Sequence, residues 1–189
     1  MKFLVIGGDA AGMSAASRAK RHQPDLNVTV LEKTADVSYS ACGMPYNIAD
    51  PDRSIEDLVV RRAEVFRDKQ GIDLQTGVEA TAIDPAAKTV HTQNAEGQTD
   101  AFSYDNMLIA TGATPITPAI PGIDLPGVMV LKSLAHGRAV KQFIDQWAVK
   151  KTVIIGMGYI ALEMCEALRE RSIAVDMVKP REVFLPWME

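Results

Sequence analysis

The chain has 189 residues, 47 % of them hydrophobic and 23 % charged, with a net charge of −4. That suffices for one large domain or a domain and a fraction, and the basic residues form no long run, which argues against nucleic acid as a partner. No apolar stretch approaches the ~20 residues of a membrane span, and the opening Met1–Ile6 stops at Gly7-Gly8-Asp9, too soon for a signal peptide core, so a cytoplasmic protein without a membrane partner is expected.

Residues 2–6 form an apolar run ahead of glycines, as in a buried parallel strand. Residues 11–22 are Ala-rich with Met13, Ala16 and Ala19 at helical spacing, and His22-Gln23-Pro24-Asp25 ends that helix. Val28–Leu31 reads as the second strand. Residues 33–50 are loop-like, with a short helix expected to begin near Cys42. Residues 56–70 place Leu58, Val59, Val65 and Phe66 among charges and predict an amphipathic helix. Strands are expected near 72–75, 78–84 and 87–92, with a hairpin turn at Asn94–Gly97. Met107–Ala110 is another buried strand, ending at Thr111-Gly112.

Pro115, Pro118, Pro121 and Pro126 stiffen a linker and mark a candidate domain boundary. Residues 133–148 read as helix. Thr152–Ile155 then runs into Gly156-Met157-Gly158, a helix, and a strand at 173–178. The order strand, glycine turn, helix, strand thus occurs twice. It predicts an α/β chain: a Rossmann-like domain with a parallel sheet and a small β-meander over 1–116, a linker and connecting helix over 117–149, and the start of a second Rossmann-like domain over 150–189.

In the first turn, Gly7 and Gly12 occupy the outer positions of GxGxxG. One permits the sharp turn after the strand, and the other lets helix and sheet approach closely. The helix N-terminus then offers amides and partial positive charge to a pyrophosphate. Asp9 stands where the second glycine is expected, with Gly8 beside it. Glu32 ends the next strand about twenty residues on, where an acid contacts a ribose hydroxyl. The second turn, Gly156-Met157-Gly158-Tyr159-Ile160-Ala161, matches GxGxxA.

Cys42 and Cys165 show neither CxxC nor metal-ligand spacing, so neither a disulfide nor a metal site is expected. Cys165 lies among Leu162, Met164 and Leu168 and reads as packing. Cys42, between Ser40 and Gly43-Met44-Pro45, is placed at a helix start, where the dipole favours thiolate, the reactive form.

With Val5–Ala16, Ser38–Ile48 and Tyr104–Ala113 in view, the chain resembles the FAD-dependent pyridine nucleotide-disulfide oxidoreductases in their single-cysteine branch. That branch includes coenzyme A-disulfide reductases, NADH oxidases, NADH peroxidases and persulfide or polysulfide reductases. The resemblance implies that the first domain binds FAD and the second NAD(P)H. Gly7, Ala11, Gly12, Glu32 and Lys33 would hold the ADP half of FAD, with Val78 bordering the adenine. Ser40, Ala110, Thr111 and Gly112 would lie near the flavin. Cys42 would be the redox nucleophile. Gly156, Gly158, Tyr159, Ile160 and Glu163 would bind the nicotinamide nucleotide. Lys179 stands where NAD-preferring relatives have an acid, and Arg181 follows; a cation there favours NADPH, with NADH as the alternative.

The oxidases and peroxidases carry a histidine two residues before the last glycine of the first turn, and Ala10 stands there. The expected reaction is therefore reduction of coenzyme A disulfide or a persulfide, with NADH oxidase or peroxidase as the alternative. Arg18, Arg21 and Lys69 match basic positions that contact coenzyme A in the disulfide reductases, or else form a solvated face. Family members are more than twice this length, and their returning flavin segment and dimerisation domain fall outside these residues. The resemblance implies a homodimer. By itself the chain is alternatively a non-catalytic nucleotide-binding module. The apolar face of the second βαβ unit must be exposed, covered or disordered.

Overall fold

The computed structural model describes residues 1–179. By its internal contacts the chain divides into two compact units. The first comprises Met1–Tyr39 and Val59–Ala113, and the second comprises Ser40–Leu58 and the chain from Thr114 onward.

In the first unit, β1 (Lys2–Ile6), α1 (Ala10–His22) and β2 (Asn27–Glu32) form the expected βαβ motif. Parallel pairing extends it to four strands in the order β3-β2-β1-β7, with β3 at Asp73–Thr76 and β7 at Asn106–Ile109. Alternation along β1 and β2 divides their side chains between two cores. Val5, Val28 and Val30 pack with Met13 and Ala16 of α1, and with Phe66, Ile72 and Leu74. Leu4, Ile6 and Leu31 face the other way and pack with Val90 and Phe102. These last two belong to the antiparallel sheet β4 (Val78–Asp84), β5 (Thr89–Asn94) and β6 (Thr99–Ser103). The sequence reading placed the hairpin turn before β6 without naming that strand; β6 is polar and mostly exposed, so it carries little hydrophobic signal.

The helix expected over 56–70 does not form as one piece. A 3-10 turn spans Ile55–Leu58, Val59 makes an isolated antiparallel bridge with Tyr39, and a π-helical turn spans Val65–Lys69. The β-branched Val59-Val60 pair suits extended backbone, and the Val60 N–H donates to the Ser38 carbonyl at 2.9 Å. The two ends also serve different cores. Leu58 falls in the second unit, while Phe66 is buried in the first.

The second unit holds α2 (Met44–Ala49), α3 (Leu134–Trp147), β8 (Lys151–Ile155), α4 (Tyr159–Glu170) and β9 (Ala174–Val178). Ser133 caps α3 through a reciprocal box with His136. Ile48, Ile144, Leu168 and Ile173 form its core, with Ile154 and Val175 packed against them. β8 and β9 pair in parallel as a two-stranded sheet. On the opposite face Val153, Ile155 and Val178 stand 55 %, 68 % and 53 % exposed within this chain.

Candidate functional site

The two glycine turns share one backbone plan. β1 pairs Ile6 with Leu31, and β8 pairs Ile155 with Val178. The next amide donates back across the pair in each case: Gly7 to the Leu31 carbonyl at 2.8 Å, and Gly156 to the Val178 carbonyl at 2.7 Å. Both glycines have strongly positive φ, +112° and +122°. This register makes Glu32, the last residue of β2, equivalent to Lys179, the residue after β9.

The surroundings of the turns differ. A Cβ on Gly7 would lie 2.2 Å from the Ala110 carbonyl oxygen, and one on Gly12 would lie 1.8 Å from the Gly7 oxygen. Gly7, Gly12 and Ala110 are therefore in close backbone contact, and only glycine fits at the first two positions. Among the described residues, a Cβ on Gly156 or Gly158 meets nothing within 4 Å. In the first unit the crowding comes from the chain just beyond β7, which pairs with β1; β8 has no such neighbour among the described residues.

Neither Asp9 before α1 nor Gly158 before α4 caps its helix with a side chain. The first-turn amides of both helices thus retain donor capacity for an anion. Asp9 turns its carboxylate to the Tyr39 N–H at 3.3 Å, a contact that the glycine-turn pattern does not show. The Gly8 carbonyl accepts from the Ser38 N–H at 3.1 Å. Glu32 accepts from the Gly8 N–H at 2.7 Å and from the Thr34 N–H at 2.8 Å. The Thr34 hydroxyl donates to it as well, at 2.7 Å, and the roughly four lone-pair sites of a carboxylate leave capacity for one further donor such as a ribose hydroxyl.

The remaining first-unit residues lie as follows. Ala11, Lys33, Thr111 and Gly112 are exposed, and Val78 is half-buried at the start of β4. Arg18 and Arg21 are exposed one turn apart on α1, and Lys69 is exposed at the end of the π-helical turn.

In the second unit Cys42 is exposed and unpaired, on a 3-10 turn spanning Ala41–Gly43. The expected helix is therefore split, with α2 beginning at Met44, after Cys42. Pro45 lies in the first turn of α2, where its missing N–H costs nothing. The Gly43 N–H donates to the Ser40 carbonyl at 3.1 Å, and the Ser40 N–H to the Leu58 carbonyl at 2.8 Å. A Cβ on Gly43 would come 2.7 Å from Leu58 Cδ2, so the turn is packed as well as bonded. Cys165 is half-buried on α4 and also free. Tyr159 and Ile160 are exposed at the start of α4, Glu163 is half-buried one turn on, and Lys179 follows β9. Arg181 lies outside the described residues.

The sequence reading also passed over Lys141. It shares the buried stripe of α3 with Leu134, Gly137 and Ile144. Its Nζ donates to the carbonyls of Asn47, Asp50 and Arg53 and to Asn47 Oδ1, at 2.6–3.1 Å. Burial lowers its pKa below the ordinary lysine value, with Arg171 adding to the effect and Asp145 and Asp50 opposing it. The signal was present, since a charged residue interrupted an apolar i, i+3, i+7, i+10 series.

Two dinucleotide-type βαβ turns and an exposed thiol on a bonded turn define a nucleotide-dependent redox protein. Comparison narrows this. The pyridine nucleotide-disulphide oxidoreductase family model matches residues 1–189, and the chain belongs to that family of NAD(P)H-dependent flavoprotein oxidoreductases. A Pyrococcus horikoshii NAD(P)H coenzyme A polysulfide/persulfide reductase is 38 % identical over 180 residues, 94 % of this chain and 39 % of that protein. A Methanocaldococcus jannaschii NADH oxidase is 31 % identical over 98 % of this chain and 42 % of its own length. The crystal structure of reduced Bacillus anthracis CoADR-RHD superposes with a TM-score of 0.93 at 30 % identity, covering 98 % of this chain and 34 % of that one. The chain thus spans about two fifths of the length of these curated relatives. FAD and a nicotinamide nucleotide are the cofactors of the family. Among the described residues no helix is long and apolar enough to cross a membrane, and no group of His, Cys, Asp and Glu is arranged to hold a metal.

Proposed function

We propose that this chain carries the FAD-binding and nicotinamide-binding portions of an oxidoreductase that reduces coenzyme A disulfide or a persulfide at Cys42. The carrying observation is the exposed, unpaired Cys42 on a turn fixed by Ser40 and Leu58, with Cys165 half-buried on a separate helix. A lone exposed thiol suits mixed-disulfide or persulfide chemistry better than an internal dithiol cycle. The relatives named for persulfide and polysulfide reduction support the same reading.

The Gly7–Gly12 turn, its uncapped helix and Glu32 fit the ADP half of FAD, with Ala11, Lys33 and Val78 beside them and Ser40, Ala110, Thr111 and Gly112 on the flavin side. When bound, FAD supplies a two-electron relay between nicotinamide and sulfur. Cys42 attacks a sulfur of the substrate disulfide: the Cys42 Sγ–S bond forms, the substrate S–S bond breaks, and one thiolate leaves. Two electrons and a proton then release the second thiol and restore the Cys42 thiolate. Arg18, Arg21 and Lys69 supply cations for the phosphates of coenzyme A.

Gly156, Gly158, Tyr159, Ile160 and Glu163 bind the nicotinamide nucleotide. Lys179 and Arg181 select NADPH, because Lys179 holds the position at which Glu32 serves a free ribose. The flavin portion spans 1–116, the linker 117–149 and the nicotinamide portion 150–189. The protein acts as a cytoplasmic homodimer.

Oxidation of NADH by oxygen or peroxide is the second reading, favoured by the Methanocaldococcus relative and opposed by Ala10. The test is Cys42→Ser in the flavin-loaded protein. Nicotinamide-driven bleaching of the flavin should persist, while reduction of coenzyme A disulfide and of persulfide stops. Retained disulfide reduction would refute the proposal, and Cys42-dependent peroxide consumption without disulfide reduction would establish the second reading.

A further inference from the structure

The segment that carries Cys42 ends in a six-residue helix, α2, too short to be stable through its own hydrogen bonds. Its C-terminal carbonyls have no partner within the helix. Lys141 reaches them from α3. Its ammonium, on a residue only 8 % exposed, meets four acceptors: the Asn47 carbonyl at 2.7 Å, Asn47 Oδ1 at 3.1 Å, and the Asp50 and Arg53 carbonyls at 2.7 and 2.6 Å. Three N–H groups shared among four oxygens leave no donor unused. Arg171 adds a further contact, from Nη1 to the Ile48 carbonyl at 3.4 Å. The end of α2 is thus held by two cations, which also suits the negative end of its dipole.

The position on α3 makes this choice costly. Leu134, Gly137 and Ile144 share the buried stripe. An apolar residue there would pack without the penalty of burying an ammonium. The lysine is compensated by the Asn47 and Asp50 carbonyls at the end of α2, by Asn47 Oδ1, and by the Arg53 carbonyl in the loop just beyond. The other end of α2 continues directly into the Ala41–Gly43 turn.

We infer that Lys141 is a positioning residue for Cys42: by capping the C-terminal end of α2 it holds the short helix, and through it the turn that presents the thiol. Its functional meaning rests on the reading of Cys42 as the reacting group, which Cys42→Ser tests separately. The clamp itself is tested without turnover.

Amide hydrogen exchange is followed in this chain for wild type, Lys141→Met, which keeps the stem without donors, and Lys141→Arg, which keeps charge and donors. In the Met form, amides over 41–53, including Gly43, should exchange about tenfold faster or more. Those of α4 and β9 should keep wild-type rates, and Arg should recover most of the protection. A merely structural role would instead raise exchange evenly across the second unit, or affect Met and Arg alike. Either result overturns the inference, as does unchanged protection in the Met form. If Lys141→Met fails to fold, Arg171→Met takes its place; it should loosen the same amides by a smaller factor, and an even loss across the unit would again refute the clamp.

Discussion

Gly12 offers the sharpest test of the first turn. Replacing it with alanine puts a Cβ 1.8 Å from the Gly7 carbonyl oxygen, about 1.6 Å short of ordinary contact at 3.4 Å, and 3.1 Å from Val5 Cγ1. The obstacle is backbone, so no rotamer change relieves it. α1 must lift from β1, and Met13 and Ala16 leave the core shared with Val5, Val28 and Val30. Overpacking of this kind costs about 3 kcal/mol, the upper end of its usual range. That converts to roughly a hundredfold loss of protection for β1 and β2 amides when opening governs exchange. Gly158→Ala is the control, because its Cβ meets nothing within 4 Å and its φ is −82°. Exchange rates for both variants settle the matter. Equal, small effects at the two sites would show that the Gly7–Gly12 contact does not hold the first turn.

Glu32→Ala removes the acceptor for the Gly8 and Thr34 amides. We expect a loss of about 1–2 kcal/mol in unfolding free energy and at least about tenfold weaker FAD binding by calorimetry; unchanged affinity would remove Glu32 from the site. Lys179→Asp should move the ratio of NADPH to NADH affinity by about tenfold or more toward NADH, with an unmoved ratio refuting the 2′-phosphate contact. Arg138 pairs with Glu56 through both guanidinium Nε and Nη2, with the side chains 37 % and 54 % exposed. Arg138→Ala should therefore cost less than about 1 kcal/mol and less still in high salt, and a larger, salt-independent loss would contradict a surface pair.

The parallel strands were legible because each is an apolar run abutting a turn signal: Leu4-Val5-Ile6 before Gly7, and Val153-Ile154-Ile155 before Gly156. Glu32 was legible because its spacing from the turn follows from the length of the intervening helix and strand. The 56–70 segment was misread because Leu58 and Phe66 have helical spacing yet serve different units, and local periodicity carries no record of which core a residue enters. The helix expected to begin near Cys42 begins at Met44, after a 3-10 turn over Ala41–Gly43 that carries the thiol. Lys141 interrupts an apolar stripe, but its acceptors on Asn47, Asp50 and Arg53 lie about ninety residues earlier, and the spacing along α3 does not name them. The Asp9–Tyr39 contact was missed because it joins residues thirty apart through a backbone amide, which no motif states.

The excursion from Ser40 to Leu58 gives the thiol a support in addition to the bonds that tie Ser38 and Tyr39 to Gly8 and Asp9 of the first glycine turn. In the first unit Tyr39 bridges Val59, and the Val60 N–H reaches the Ser38 carbonyl, so the strands leaving and returning are fastened to each other. Between them, Ile48 is fully buried beside Ile144, Leu168 and Ile173. Residues of α2 thus pack with the helices that flank the second glycine turn. A change in α3 or α4 can therefore alter the Cys42 turn without touching a single FAD-contacting residue proposed in the first unit. Variants at Lys141 and Gly12 should separate these dependencies, with the first loosening 41–53 and sparing β1 and β2, and the second doing the reverse. If both variants loosened both segments equally, Lys141 and Gly12 would not act on separate segments.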